Sequence, residues 1–224
     1  MTVSPNDRNT HFGSSSGMST SKLRIVGGTF RGRQIEYSGD LRTRPMKDSI
    51  RESLFNLIGA FLPGRCVFDL FAGTGAVGIE ALSRGASQAI FVERHFPTAK
   101  IIRQNLASLA DNLPAIVDTS DTFFWVRQFF KKQDKWPTEP WVVFCCPPYG
   151  LYRQRTKDVM GILAQFIELA PAGSVVVAET PNDFDTSLLP NADNWRNREY
   201  SPALLCVWRP PSYENWPNAE KTGQ

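Results

Sequence analysis

Cysteine is sparse in this chain. The four residues at 66, 145, 146 and 206 have neither the spacing of a zinc site nor the density of a disulfide framework. They read as reduced thiols in a cytosolic protein, most of them small core residues. Long apolar runs are absent as well: none approaches membrane-spanning length, and the first twenty residues contain no hydrophobic signal region. No internal repeat is visible. The net charge of +3 is mild. These absences leave a cytoplasmic globular protein, and no metal site is expected. At 224 residues, with 42% hydrophobic and 21% charged content, the chain is long enough for one α/β domain plus attachments.

The mild total hides an uneven distribution. Residues 22–51 carry eight basic side chains against three acidic ones, a local excess of five. A basic patch of this kind suits a polyanion, most often nucleic acid, although a solvated surface would look the same. Residues 1–21 are polar and Ser/Gly-rich and read as a disordered leader. Met18 lies close to where ordered structure should begin and is an alternative start to Met1. The tail over residues 210–224 reads as flexible.

Between these ends the chain alternates. Two β-rich runs flank Gly27-Gly28 and predict a hairpin. Ile50, Leu54, Leu57, Ile58 and Phe61 then fall at helical spacing, and Pro63-Gly64 ends that helix. Residues 22–62 therefore form an N-terminal extension, with the main domain over 63–209. Within the domain, strands are expected at 66–71, 89–93, 115–117, 141–145 and 173–180, with helices between them and two late strands near 196–200 and 203–208. Strand–helix alternation means a mostly parallel sheet covered on both faces. Ligands of such sheets bind beyond the carboxyl ends of the strands, where strand order reverses.

One strand–turn–helix unit points to the ligand. In "VFDLFAGTGAVGIEAL", Gly73, Gly75 and Gly78 form a G-x-G-x-x-G pattern, and Glu93 follows Gly73 by twenty residues. The glycines let a ligand approach the backbone, and the acid accepts from both ribose hydroxyls. That spacing alone does not separate a dinucleotide from another adenosine-containing ligand. Asp69, inside the strand before the loop, would repel a diphosphate but tolerate a sulfonium and an ammonium, which favours S-adenosylmethionine over NAD. Asp121 is a candidate for the adenine amino group, with Asp118 competing and helix capping an equally simple role for either.

The second unit is "CCPPYG". Pro147 and Pro148 hold a stiff, extended segment whose carbonyls are free to accept from an exocyclic amine. Tyr149 offers a ring face for stacking a base. Cys146 stands where a better acceptor than a thiol would orient the amine nitrogen toward a methyl donor.

These residues resemble the bacterial small-subunit ribosomal RNA guanine-N2 methyltransferases of the RsmD type. "RIVGGTFRGR", "RPMKDSIRESLFNLI" and "FDLFAGTGAVGIEALSRGA" followed by "FVE" carry the resemblance, which covers roughly residues 23–209. It implies a class I methyltransferase fold, a Rossmann-like seven-stranded mostly parallel sheet with an N-terminal β-hairpin and helix added. The implied reaction is methylation of a guanine N2 amine in ribosomal RNA, using S-adenosylmethionine and, for this chain, a monomer. Asp69, Ala72, Gly73 and Gly75 would then line the methionine end of the cofactor, Glu93 would hold the ribose and Asp121 would meet the adenine. Pro147, Pro148 and Tyr149 would grip the guanine, and Arg31, Arg33 and Arg44 would lie near RNA phosphate or the cofactor cleft. The departure is Cys146, where the family pattern has Asp or, in related enzymes, Asn. Losing that acceptor implies a rate lower by roughly tenfold to a hundredfold. Two other readings use the same residues: a non-catalytic RNA-binding or ribosome-assembly factor, and a cytosine-C5 RNA methyltransferase with Cys146 as nucleophile.

Overall fold

The computed structural model describes residues 21–39 and 45–209. The expected leader (apart from Ser21), Arg44 and the tail at 210–224 lie outside the described residues. Nine strands and six α-helices are found among the described residues. A two-stranded antiparallel hairpin, β1 (Ser21–Arg24) and β2 (Gln34–Tyr37), precedes helix α1 (Asp48–Ile58). The main unit then runs β3 (Cys66–Asp69), α2 (Ala76–Ser83), β4 (Gln88–Val92), α3 (Phe96–Leu109), β5 (Ala115–Asp118) and α4 (Thr122–Phe129). It continues with β6 (Trp141–Cys145), α5 (Tyr149–Gln154), α6 (Thr156–Leu169), β7 (Val175–Pro181), β8 (Trp195–Tyr200) and β9 (Ala203–Trp208).

The seven-stranded sheet has the order β5-β4-β3-β6-β7-β9-β8. Its first five strands are parallel, and β9 enters antiparallel between β7 and β8. Every residue of β3 and β6 is buried, as apolar runs covered by helices on both faces must be. One face packs α1 and α2 against Val67, Phe91 and Phe144, and the other packs α4 and α6 against Phe68, Val143 and Trp141. Strand order reverses between β3 and β6, which opens the crevice above their carboxyl ends.

The N-terminal extension is not a separate body. Ile25, Ile35, Leu54, Phe55 and Ile58 belong to the same apolar cluster as Phe91 and Phe144. Gly27-Gly28 does not form the hairpin turn: nine residues separate β1 from β2, and the two glycines instead dock that loop on the end of α2. Thr29 and Phe30 donate their amides to the Ser83 carbonyl and hydroxyl at 2.7 and 2.9 Å, while the Ser83 hydroxyl donates to the Gly27 carbonyl. Gly28 has φ +75°, and a Cβ there would lie 1.9 Å from the Ser83 carbonyl oxygen. Only glycine fits that position.

Beneath the dock lies a charged pair. Arg51 and Glu80 are 1% and 0% exposed, with Nε and Oε2 3.7 Å apart. Glu80 also accepts from the Val26 amide (2.8 Å) and from Arg84 Nε (2.9 Å). Arg51 donates to the carbonyls of Arg24 and Met46 and to Asp48. The pair therefore joins hairpin, α1 and α2. Arg51, counted in the basic patch from sequence, is structural, whereas Lys22, Arg24, Arg31, Arg33 and Lys47 are exposed.

Candidate active site

A cavity of about 610 Å³ lies above the carboxyl ends of β3, β4, β6 and β7. Its volume is in the range of small-molecule sites. The start of α1 supplies part of its wall through Met46, Lys47 and Ile50. The extension thus contributes to the cavity as well as to the core.

At one end stands the glycine loop. Gly73 lines the cavity with φ 52°, and its amide donates to Glu93 Oε2 at 2.9 Å. Glu93 Oε1 accepts from the His95 amide at 2.7 Å. The acid that follows β4 therefore clasps the loop that follows β3, and both face the cavity. Gly75, at φ 75°, precedes the first residue of α2, and its amide donates to the Ala72 carbonyl. Gly78 packs α2 on β4, since a Cβ there would lie 2.3 Å from the Phe91 ring.

Asp69 sits behind this loop. It is 3% exposed, lines no part of the cavity, and accepts from the Gly78 amide at 3.0 Å. Burial pushes its carboxyl up to about 7, the Gly78 hydrogen bond opposes that rise, and nearby Glu93 adds to it. Asp69 therefore braces α2 through Gly78. Ala72 and Gly75 likewise shape the loop rather than line the cavity.

Asp121 both lines the cavity and caps α4, accepting from the Phe124 amide at 3.0 Å. Asp118 is turned aside, accepting from Trp125 Nε1 and the Ser120 hydroxyl. Of these two acids, Asp121 is the one on the cavity wall.

Cys146, Pro147, Pro148 and Tyr149 form the opposite wall. Tyr149 already begins α5, a short helix that follows the extended Pro147-Pro148 segment directly. The Pro148 carbonyl accepts from the Leu151 amide at 2.9 Å, so it is committed to that helix and not to a ligand. The Tyr149 hydroxyl donates to Glu179 Oε1 at 2.9 Å. Burial holds the Cys146 thiol well above its ordinary pKa, with the charges of Glu179 and Asp69 adding to the effect. A thiol in this field stays protonated, which is the reverse of what a nucleophilic cysteine requires.

The arginines separate. Arg31 is exposed and away from the cavity, and Arg33 donates to the carbonyls of Ser108 and Leu109, closing the carboxyl end of α3. Residues the sequence reading missed include Lys47 and Arg155 on the cavity wall, the latter 3.7 Å above the Phe123 ring. Glu179 is the most consequential omission. Cys145 pairs with Ala178 across β6 and β7, so the next residues, Cys146 and Glu179, follow side by side. The signal was an acid closing a strand that neighbours the Pro-Pro segment.

The chain is similar to known proteins in sequence and fold. A Bacillus subtilis protein named as a candidate rRNA methyltransferase, YlbH, is 32% identical over 154 residues, 69% of this chain and 80% of that protein. Ribosomal RNA small subunit methyltransferase D of Escherichia coli strain K12 is 32% identical over 128 residues, 57% of this chain and 61% of that protein. Among solved structures, the Thermus thermophilus protein TTHA0928 matches with a TM-score of 0.67 at 28% identity, over 84% of this chain and 99% of its own. The Escherichia coli yhhF protein matches with a TM-score of 0.66 at 26% identity, over 84% and 97%. SMU.776, solved in complex with SAH, shares the fold at a TM-score of 0.62 and 13% identity, over 88% and 57%. From the docked hairpin to the last strand, over residues 23–209, the sequence matches one family model, and the chain belongs to the family described as Conserved hypothetical protein 95.

Proposed function

We propose that the chain transfers a methyl group from S-adenosylmethionine to the N2 amine of a guanine in small-subunit ribosomal RNA. The observation that carries this reading is the cavity itself, which joins a loop clasped by Glu93 to the Pro-Pro-Tyr wall. The residues fit the donor: Glu93 and Asp121 are placed to accept from ribose hydroxyls and an adenine amine. The acids on the cavity wall, Glu93 and Glu179, suit a cation and oppose a diphosphate. When bound, S-adenosylmethionine supplies a methyl group already activated on a positively charged sulfur.

The chain's own contribution is positioning, the main catalytic resource when the leaving group is already good. Tyr149, fixed through its hydroxyl, holds its ring at the cavity wall for a base that has left its stack. Pro147 keeps the backbone stiff beside it. Cys146 is a weak acceptor. Exposed Lys22, Arg24, Arg31 and Lys47, with Arg44, supply phosphate attraction that weakens with salt. Arg33 contributes charge from the end of α3. The YlbH and methyltransferase D relatives support ribosomal RNA as the substrate class. A ribosomal substrate places the reaction in the cytoplasm.

Tyr149→Ala separates this reading from a non-catalytic binding role. Loss of base stacking, about 1–3 kcal/mol, lowers kcat/KM for ribosomal RNA by roughly tenfold to a hundredfold. The affinity for S-adenosylhomocysteine, measured by calorimetry, changes less than twofold. Equal RNA turnover in the variant and the parent, or methyl transfer by neither, overturns the proposal.

A further inference from the structure

The Pro-Pro-Tyr wall has an acid beside it that the established similarities leave without a role. Glu179 lies in β7, lines the cavity and holds the Tyr149 hydroxyl at 2.9 Å. Its strand position follows the Cys145–Ala178 pair, which sets it next to Cys146. At that position the charge of Glu179 adds to burial in pushing the Cys146 thiol up. On the Watson–Crick edge of guanine the N2 amine and N1–H form an adjacent pair of donors, with the O6 acceptor beyond them. A carboxylate accepts only, so it complements that pair, whereas a thiol accepts weakly.

We infer that Glu179 supplies the acceptor missing at Cys146: it receives a hydrogen bond from the guanine amine and then the proton that the amine must lose. This rests on the guanine-N2 reading above. In the step, the sulfur–methyl bond breaks as the N2–methyl bond forms. The electron pair of the broken bond stays on sulfur, leaving a neutral thioether, and the N2 proton passes to the Glu179 carboxylate and on to solvent. Tyr149 keeps the carboxylate in register with the stacked base. The transfer therefore uses an acid from the neighbouring strand instead of one in the Pro-Pro-Tyr segment.

A double-mutant cycle tests this with methyl transfer to unmethylated small subunits. Glu179→Gln is nearly isosteric and lowers kcat about a hundredfold, with unchanged affinity for S-adenosylhomocysteine. In a Cys146→Asn background, where an amide oxygen restores an acceptor, the same change costs tenfold or less. Equal losses in both backgrounds assign Glu179 a purely structural role and overturn the inference, as does an undiminished rate in Glu179→Gln. If Glu179→Gln loses its thermal transition, Glu179→Asp takes its place, with the same coupling expected. Methyl transfer by the parent protein is measured first: its absence defeats the guanine-N2 reading, whereas its presence with no coupling defeats only the role of Glu179.

Discussion

Replacing Glu93 with alanine abolishes useful donor binding. Two charge-assisted hydrogen bonds to a ribose are worth about 1.5–3 kcal/mol each, so affinity for S-adenosylhomocysteine falls by a hundredfold or more. The substitution also strips the Gly73 and His95 amides of the carboxylate that holds them, which loosens the loop the donor must approach. Both effects act in the same direction. Isothermal calorimetry measures the loss directly, and thermal melting of the free protein should move by only a few degrees, because Glu93 is only partly buried. A change in affinity smaller than threefold would mean that the donor does not use this acid.

The second large effect is on stability. Glu80→Ala removes the carboxylate that answers buried Arg51 and the Val26 amide together. Breaking one side of a buried pair costs about 3–5 kcal/mol, which for a domain of this size lowers Tm by about 10 °C. The loss comes from leaving buried Arg51 with half-exposed Asp48 as its counter-charge and the Val26 amide without its acceptor, so the double variant Glu80→Leu with Arg51→Met recovers part of it. Scanning calorimetry of the parent and the two variants decides the matter. A fall of less than 2 °C in Glu80→Ala, or a double variant no better than the single one, contradicts a coupled pair. Because the pair joins hairpin, α1 and α2, its loss should also disturb the Met46–Ile50 side of the cavity.

The alternation of strands and helices could be read from the sequence because each parallel strand is an apolar run bounded by turns, and β3 and β6 are buried throughout. The pairing of Glu93 with the glycine loop as one ligand site was legible for a similar reason, whereas the hydrogen bond from the Gly73 amide to Glu93 came only from the structure. What escaped depended on partners far apart in sequence. Gly27-Gly28 looks like a turn until Ser83 is found against it, 56 residues from Gly27. Arg51 and Arg33 count as surface charge until Glu80 and the end of α3 claim them. Asp69 stands behind the glycine loop and lines no part of the cavity, because its carboxylate accepts from the Gly78 amide nine residues on. Glu179 was hidden because an acid after "VVVA" reads as the end of a core strand. Only the pairing of β7 with β6 sets it beside Cys146.

Small ribosomal subunits isolated from cells without this protein give the most direct test of methyl transfer at the β3–β6 crevice. Incubated with the purified chain and S-adenosylmethionine, then digested to nucleosides and analysed by mass spectrometry, their RNA should gain one N2-methylguanosine. The gain should vanish in Glu93→Ala. No new methylated nucleoside, or a methyl group on cytosine C5, would contradict the account.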